Sequence, residues 1–139
     1  RRGDEGDLLG VGAQVRHGGR PIGSGEGDVT RAEAPDDVVL VYTTAASLVE
    51  AEAIGTDLVE RRLAACVNIL PGMRSIYRWE GRVECAGEVV MIVKTVRRQV
   101  DDARRRFREL HSYDTPAFLV IDVPGGDGDY LAWLRAETG

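Results

Sequence analysis

Residues 63–95 read LAACVNILPGMRSIYRWEGRVECAGEVVMIVKT, and the fold turns on how this stretch is divided. Near its middle, Glu80-Gly81 suits a two-residue hairpin turn. Before the turn, Ser75, Tyr77 and Trp79 fall on one face of an alternating run, with Ile76 and Arg78 on the other. After it, residues 82–95 end in the apolar, β-branched run EVVMIVKT. Residues 66–70 are also β-compatible, and Pro71-Gly72 bends or interrupts that strand. Ala86-Gly87 is the expected place for a bulge. Both strands exceed the usual five or six residues. A hairpin this long overhangs a small sheet and is expected to reach onto another subunit.

Outward from the hairpin, the pattern repeats in two halves. VVLVYTT, residues 38–44, is a short apolar run suited to a buried strand. Ser47 and Glu50 have capping-box spacing, and Leu48, Ala51, Ile54 and Leu58 make an apolar stripe, predicting a helix over about 47–64. Gly55 within it implies close packing against a neighbour. Val96, Val100, Ala103, Phe107 and Leu110 predict a second helix over about 96–111, with Asp101–Arg105, Asp102–Arg106 and Arg105–Glu109 at ion-pairing spacing. Residues 117–123 read as a strand after Thr115-Pro116. Asp127 or Asp129 can cap a short last helix carrying Tyr130, Trp133 and Leu134. The order predicts an α+β, ferredoxin-like βαββαβ sandwich. Its one four-stranded antiparallel sheet has helices on one face, a long central hairpin and a short C-terminal helix.

Nine of the 17 glycines fall in the first 27 residues, which carry no aromatic side chain and no apolar period. Residues 1–36 are therefore expected to form a flexible Gly-rich arm, and residues 37–139 one domain. The arm lacks the apolar run of a secretion signal, and no stretch approaches the roughly 20 apolar residues of a membrane span. The net charge of −5 argues against nonspecific nucleic-acid binding. Cys66 and Cys85 are too few and too widely spaced for a disulfide framework or a zinc ribbon, so free thiols in a cytoplasmic setting are expected.

Few residues can carry chemistry. Cys66, in Ala-Ala-Cys-Val, reads as a small core residue, and Cys85 as more exposed. His111, at the end of the second helix, either complements the helix C-terminus or ligates a transition metal. Lys94 is the only lysine. With Tyr77, Trp79, Tyr113, Tyr130 and Trp133 it supplies polar tips for a cleft, or else these side chains simply pack. There is no nucleophile elbow and no phosphate loop in residues 37–139, and GGDGD at 125–129 lacks calcium-loop spacing. An enzyme is not expected.

The segments LVERRLAACVNILPGMRSIYRWEG (58–81), EVVMIVKT (88–95), ELHSYDTPAFLVIDV (109–123) and GDYLAWL (128–134) together resemble the CutA divalent-cation tolerance family. The resemblance implies a cytoplasmic homotrimer whose hairpins extend onto neighbouring subunits, with a role in tolerance to copper and other divalent cations. It also implies a likeness to PII signalling proteins. That likeness gives the alternative reading: a trimeric small-molecule sensor or scaffold with clefts between subunits and no metal role. Some members hold Cu(II) with a cysteine in the first strand and two adjacent histidines after the second helix. The corresponding positions here are Thr43, Leu110 and His111, so His111 is the one matching metal ligand. Trp79, Lys94 and Tyr113 match motif positions and are the expected ligand-binding residues of an intersubunit cleft, with Lys94 facing an anion or a carboxylate such as Glu88. The family's His-Pro-Tyr is His111-Ser112-Tyr113 here.

Overall fold

The structure, a computed structural model, describes residues 34–139. Strand β1 (Val38–Ala45) leads to helix α1 (Leu48–Glu60). Strands β2 (Cys66–Trp79) and β3 (Arg82–Val96) form the hairpin. A 3-10 turn (Arg97–Gln99) enters helix α2 (Val100–Leu110), and strand β4 (Phe118–Asp122) and helix α3 (Gly128–Ala136) follow. The sheet runs β2-β3-β1-β4 with every neighbouring pair antiparallel, the ferredoxin-like order expected. The Gly-rich arm expected over residues 1–36 lies outside the described residues except for its last three. There Pro35 accepts a bond from the Arg98 N–H at 2.9 Å, and Asp36 pairs with Arg98.

Local chemistry sets the element ends. Ser47 Oγ accepts from the Glu50 N–H at 3.1 Å and starts α1. Glu50 reaches back to the Ala46 N–H and across to the Ser112 N–H, tying the start of α1 to the loop after α2. Helix α1 stops at Glu60, short of residue 64, because Arg62 turns left-handed at φ 62° and reverses the chain into β2. Val96 is the last residue of β3, so α2 begins four residues later than the apolar stripe suggests. Glu80 and Gly81, at φ 51° and 80°, close the hairpin with two left-handed residues, as a type I′ turn requires.

The hairpin's bulge is in β2, not at Ala86-Gly87. Leu70 faces Val90 and Met73 faces Glu88, so Pro71-Gly72 supplies the extra residue. The reason lies in those two residues: proline has no N–H for the ladder, and Gly72 adopts φ 91°.

Helices α1 and α2 cover one sheet face. There Val41, Ala45, Val89, Met91 and Val93 bury against Ala51, Ile54, Leu58 and Phe107. Gly55 lets α1 approach β2 closely; a Cβ there would sit 3.3 Å from Val67. The opposite face is covered at one end only, by α3. Leu134 and Leu131 pack there on Val38, Ala65 and Val96, so the helices are not all on one side as expected. Elsewhere that face carries Leu40, Tyr42, Val90 and Ile92, half-buried, with Leu70, Leu119 and Ile121 exposed at 49%, 60% and 46%.

Two charged residues join the helices. Arg106 donates to both oxygens of Asp57, at 2.8 and 2.9 Å. That reach draws Arg106 away from Asp102, and the α2 pairs form at three-residue spacing instead, Asp102–Arg105 and Arg106–Glu109. The Arg106 bond holds the Asp57 carboxyl below its ordinary range, with the Arg61 charge helping. A depressed carboxyl stabilises the fold above its unfolded pKa, and that stabilisation is lost as pH falls through the folded value. Asp57→Asn is therefore expected to lower stability at neutral pH and to flatten its decline below about pH 4. Urea melts of both proteins across that range check this; parallel curves would rule it out.

Candidate functional site

The expected site residues separate into three places along the hairpin. Trp79 pairs with Arg82 at the tip. Glu88 faces Met73 beside the bulge, and Lys94 faces Cys66 at the root. At about 3.4 Å per residue, tip and root lie roughly 40 Å apart. One chain therefore does not bring Trp79, Lys94 and Tyr113 together. Nor do Lys94 and Glu88 pair: six residues of one strand, roughly 20 Å, separate them.

Beside the bulge is a buried polar node. Glu88 is 4% exposed, and its carboxylate accepts three hydroxyl bonds: from Tyr113 at 2.8 Å, Ser75 at 2.7 Å and Thr44 at 3.2 Å. Burial, with the Glu88 charge beside it, pushes the Tyr113 phenol far above its usual range, so it remains a donor. Tyr113 is thus placed by the carboxylate beneath it. Thr44 and Ser75 escaped sequence reasoning, because a threonine in a strand and a serine in a hairpin carry no signal of their own.

His111 sits at the back of this node with its ring fully buried. Nε2 lies 2.7 Å from the Thr44 carbonyl, which can only accept, so this nitrogen carries the proton. Nδ1 then accepts from the Tyr113 N–H at 2.9 Å. The ring is flanked by Phe107 and Tyr113, with centroids 4.8 and 4.6 Å away. Thr43 is buried and donates to the Ala117 carbonyl at 2.6 Å, and Leu110 packs on the core. These three positions do not fit a copper ion: His111 has no free lone pair, and the other two offer no soft or imidazole donor. Among the described residues, no cluster of three or more His, Cys, Asp or Glu is arranged to hold a metal.

At the hairpin root, Lys94 Nζ donates to the Tyr130 hydroxyl at 3.0 Å and lies 5.3 Å from that ring's centroid. This hydrogen bond holds the ammonium above its usual range, so Lys94 is charged at neutral pH. Trp133 lies beside Tyr130, centroids 5.6 Å apart, and both rings are over 40% exposed. In the sequence Tyr130 is only one of several aromatics; the pairing with Lys94 appears once α3 folds over the sheet. Cys66 is half-buried on the same face as Lys94, not in the core under the helices, and Cys85 is exposed with Arg74 Nη2 at 3.2 Å. Among the described residues, no helix is long and apolar enough to cross a membrane.

These features define a small α+β protein with a ferredoxin-like sheet and a hairpin that outgrows it. Residues 39–137 match the family described as CutA1 divalent ion tolerance protein. A divalent-cation tolerance protein CutA from Pectobacterium atrosepticum is 44% identical over 101 residues, 73% of this chain and 92% of the relative. The crystal structure of CutA from Xylella fastidiosa superposes with a TM-score of 0.72 at 40% identity, covering 74% of this chain and 99% of that one. A structure from Archaeoglobus fulgidus, described as a periplasmic divalent cation tolerance protein CutA, gives 0.70 at 41% identity over 72% and 97%. The chain belongs to the CutA1 divalent ion tolerance family.

Proposed function

We propose that this protein serves divalent-cation tolerance as a non-enzymatic, cytoplasmic homotrimer. The observation that carries the assembly is the bare apolar sheet face beyond α3, with Leu70, Leu119 and Ile121 exposed. A patch of this kind on a soluble domain marks an interaction surface. Residues 74–79 and 82–87 supply the direction. They pair only with each other and stand off the sheet, so each arm can lie on the next subunit. Such a head-to-tail contact closes into a ring when its rotation divides a full turn, and three subunits is what the family resemblance implies. Two unpaired cysteines suit a reducing compartment. Light scattering on the full chain tests the assembly: a monomeric mass at micromolar concentration rejects it.

We read His111 as a structural residue that joins the α2 end to β1, not as the cation ligand. Calorimetric titration with Cu(II) checks this on a His17→Ala background, so that the other histidine cannot contribute. His111→Ala is expected to lower stability by about 1–3 kcal/mol, by stranding a buried carbonyl and a buried N–H, and to leave any copper binding unchanged. Saturable binding that disappears in a His111→Ala protein with an unchanged circular dichroism spectrum would restore His111 as a ligand.

A further inference from the structure

Beneath α3, at the edge of the bare sheet face, lies a hollow of about 240 Å³ with Leu40, Val123 and Leu131 in its apolar wall. Its polar groups are Lys94, Tyr130 and Asp127. The Asp127 carboxylate is committed to capping α3, accepting from the Tyr130 N–H at 3.0 Å. Lys94 has no such commitment: among the described residues its ammonium makes no ion pair, and its hydrogen-bond partner is a neutral phenol. The Tyr130 hydroxyl accepts from Lys94, which leaves its own proton free to donate.

The chain holds 18 basic side chains, and Lys94 is the only lysine among them. Arginines hold carboxylates elsewhere: Arg98 bonds Asp36, and the Arg106 fork spans both oxygens of Asp57. At the hollow the cation is instead a compact point charge with rotatable donors on a flexible stem, suited to a single acceptor group. Two donors therefore converge at the rim of an apolar space, with no carboxylate satisfying either of them.

We propose that this hollow binds a small monocarboxylate with a short apolar body, its carboxylate held by the Lys94 ammonium and the Tyr130 hydroxyl and its body against Leu40, Val123 and Leu131. A small inorganic anion would leave the apolar wall unused. A neutral apolar molecule would leave the ammonium unpaired. The hollow is smaller than the usual range of about 300–1,000 Å³ for drug-sized ligands, which restricts the body to a ring or a short chain. Every wall comes from one chain, so the site needs no second subunit to complete it.

The test is calorimetric titration of the full chain with benzoate and with hexanoate, beside benzamide and inorganic phosphate. One or both carboxylates are expected to saturate with millimolar affinity, and the neutral amide and the phosphate are not. Lys94→Met keeps most of the stem and is expected to weaken binding at least tenfold; Tyr130→Phe, which removes one hydroxyl, several-fold. Circular dichroism and light scattering of each variant show that fold and assembly are retained. Because Lys94 is the only lysine, its acylation rate, resolved by peptide mass from that of the N-terminal amine, is a second readout. Saturating carboxylate is expected to slow it at least fivefold. No saturation at tens of millimolar by either acid, equal binding of benzamide, or undiminished binding by Lys94→Met overturns the proposal.

Discussion

A chain carrying Leu119→Asp and Ile121→Asp is expected to be a folded monomer, with one third of the wild-type mass by light scattering. Both residues lie on β4, the edge strand beside β1, and share a face with Tyr42 and Leu40. Both are already exposed in the single chain, so charging them removes little that holds the domain together. In the proposed assembly each would be a carboxylate in an apolar contact, where an unpaired charge costs several kcal/mol. The proposed ring would repeat that cost at every interface. Far-ultraviolet circular dichroism separates loss of assembly from loss of fold. A double variant that keeps the wild-type mass would show that the β4 edge is not in the contact.

The second large effect is at Glu88. Glu88→Ala removes one carboxylate and strands three buried or half-buried hydroxyls, those of Thr44, Ser75 and Tyr113, each of which then loses its acceptor. The expected loss is about 3–5 kcal/mol, at roughly 1–2 kcal/mol for each hydroxyl left without its acceptor. Glu88→Gln keeps the shape and one acceptor oxygen, and should cost less than half as much. Tyr113→Phe should cost about 1–2 kcal/mol alone and much less in the Glu88→Ala background, because the two act through one bond. These values are best taken from urea melts of the monomeric double variant, where association does not add to the apparent stability. Additive losses would mean that the node is a set of independent contacts.

The fold was legible in the sequence where periodicity was strong. The α2 stripe ending in Phe107 and Leu110, the alternation of Tyr77 and Trp79, and the Glu80-Gly81 turn each carry their own signal, and each stands where the pattern puts it. The misplaced features depend on partners distant in sequence. Arg106 abandons Asp102 because α1 presents Asp57 beside it. The bulge falls at Pro71-Gly72 because backbone chemistry there outweighs the small residues opposite. The polar node was less legible still. His111 and Tyr113 are adjacent in the chain to the end of α2, but the carboxylate that organises them arrives from β3. Nothing local marks Glu88 as different from the other glutamates.

The bulge in β2 also changes the phase of the arm. From residues 66 to 70 the even-numbered side chains of β2 share a face with Lys94, Ile92 and Val90; from Met73 onward the odd-numbered ones share a face with Glu88 and Glu84. The extra residue is taken up as a bulge, so the odd-numbered side chains beyond it fall on the same face that the even-numbered ones hold before it. It is why Ser75 reaches Glu88, and why Tyr77 and Trp79 look out on the same side as the bare sheet face. Deleting Gly72 would remove the bulge and give a regular ladder, with Leu70 still opposite Val90, Met73 still opposite Glu88, and Tyr77 and Trp79 on the face they hold now. Pro71-Gly72 is thus the joint at which the strand changes its odd-even phase without changing its face.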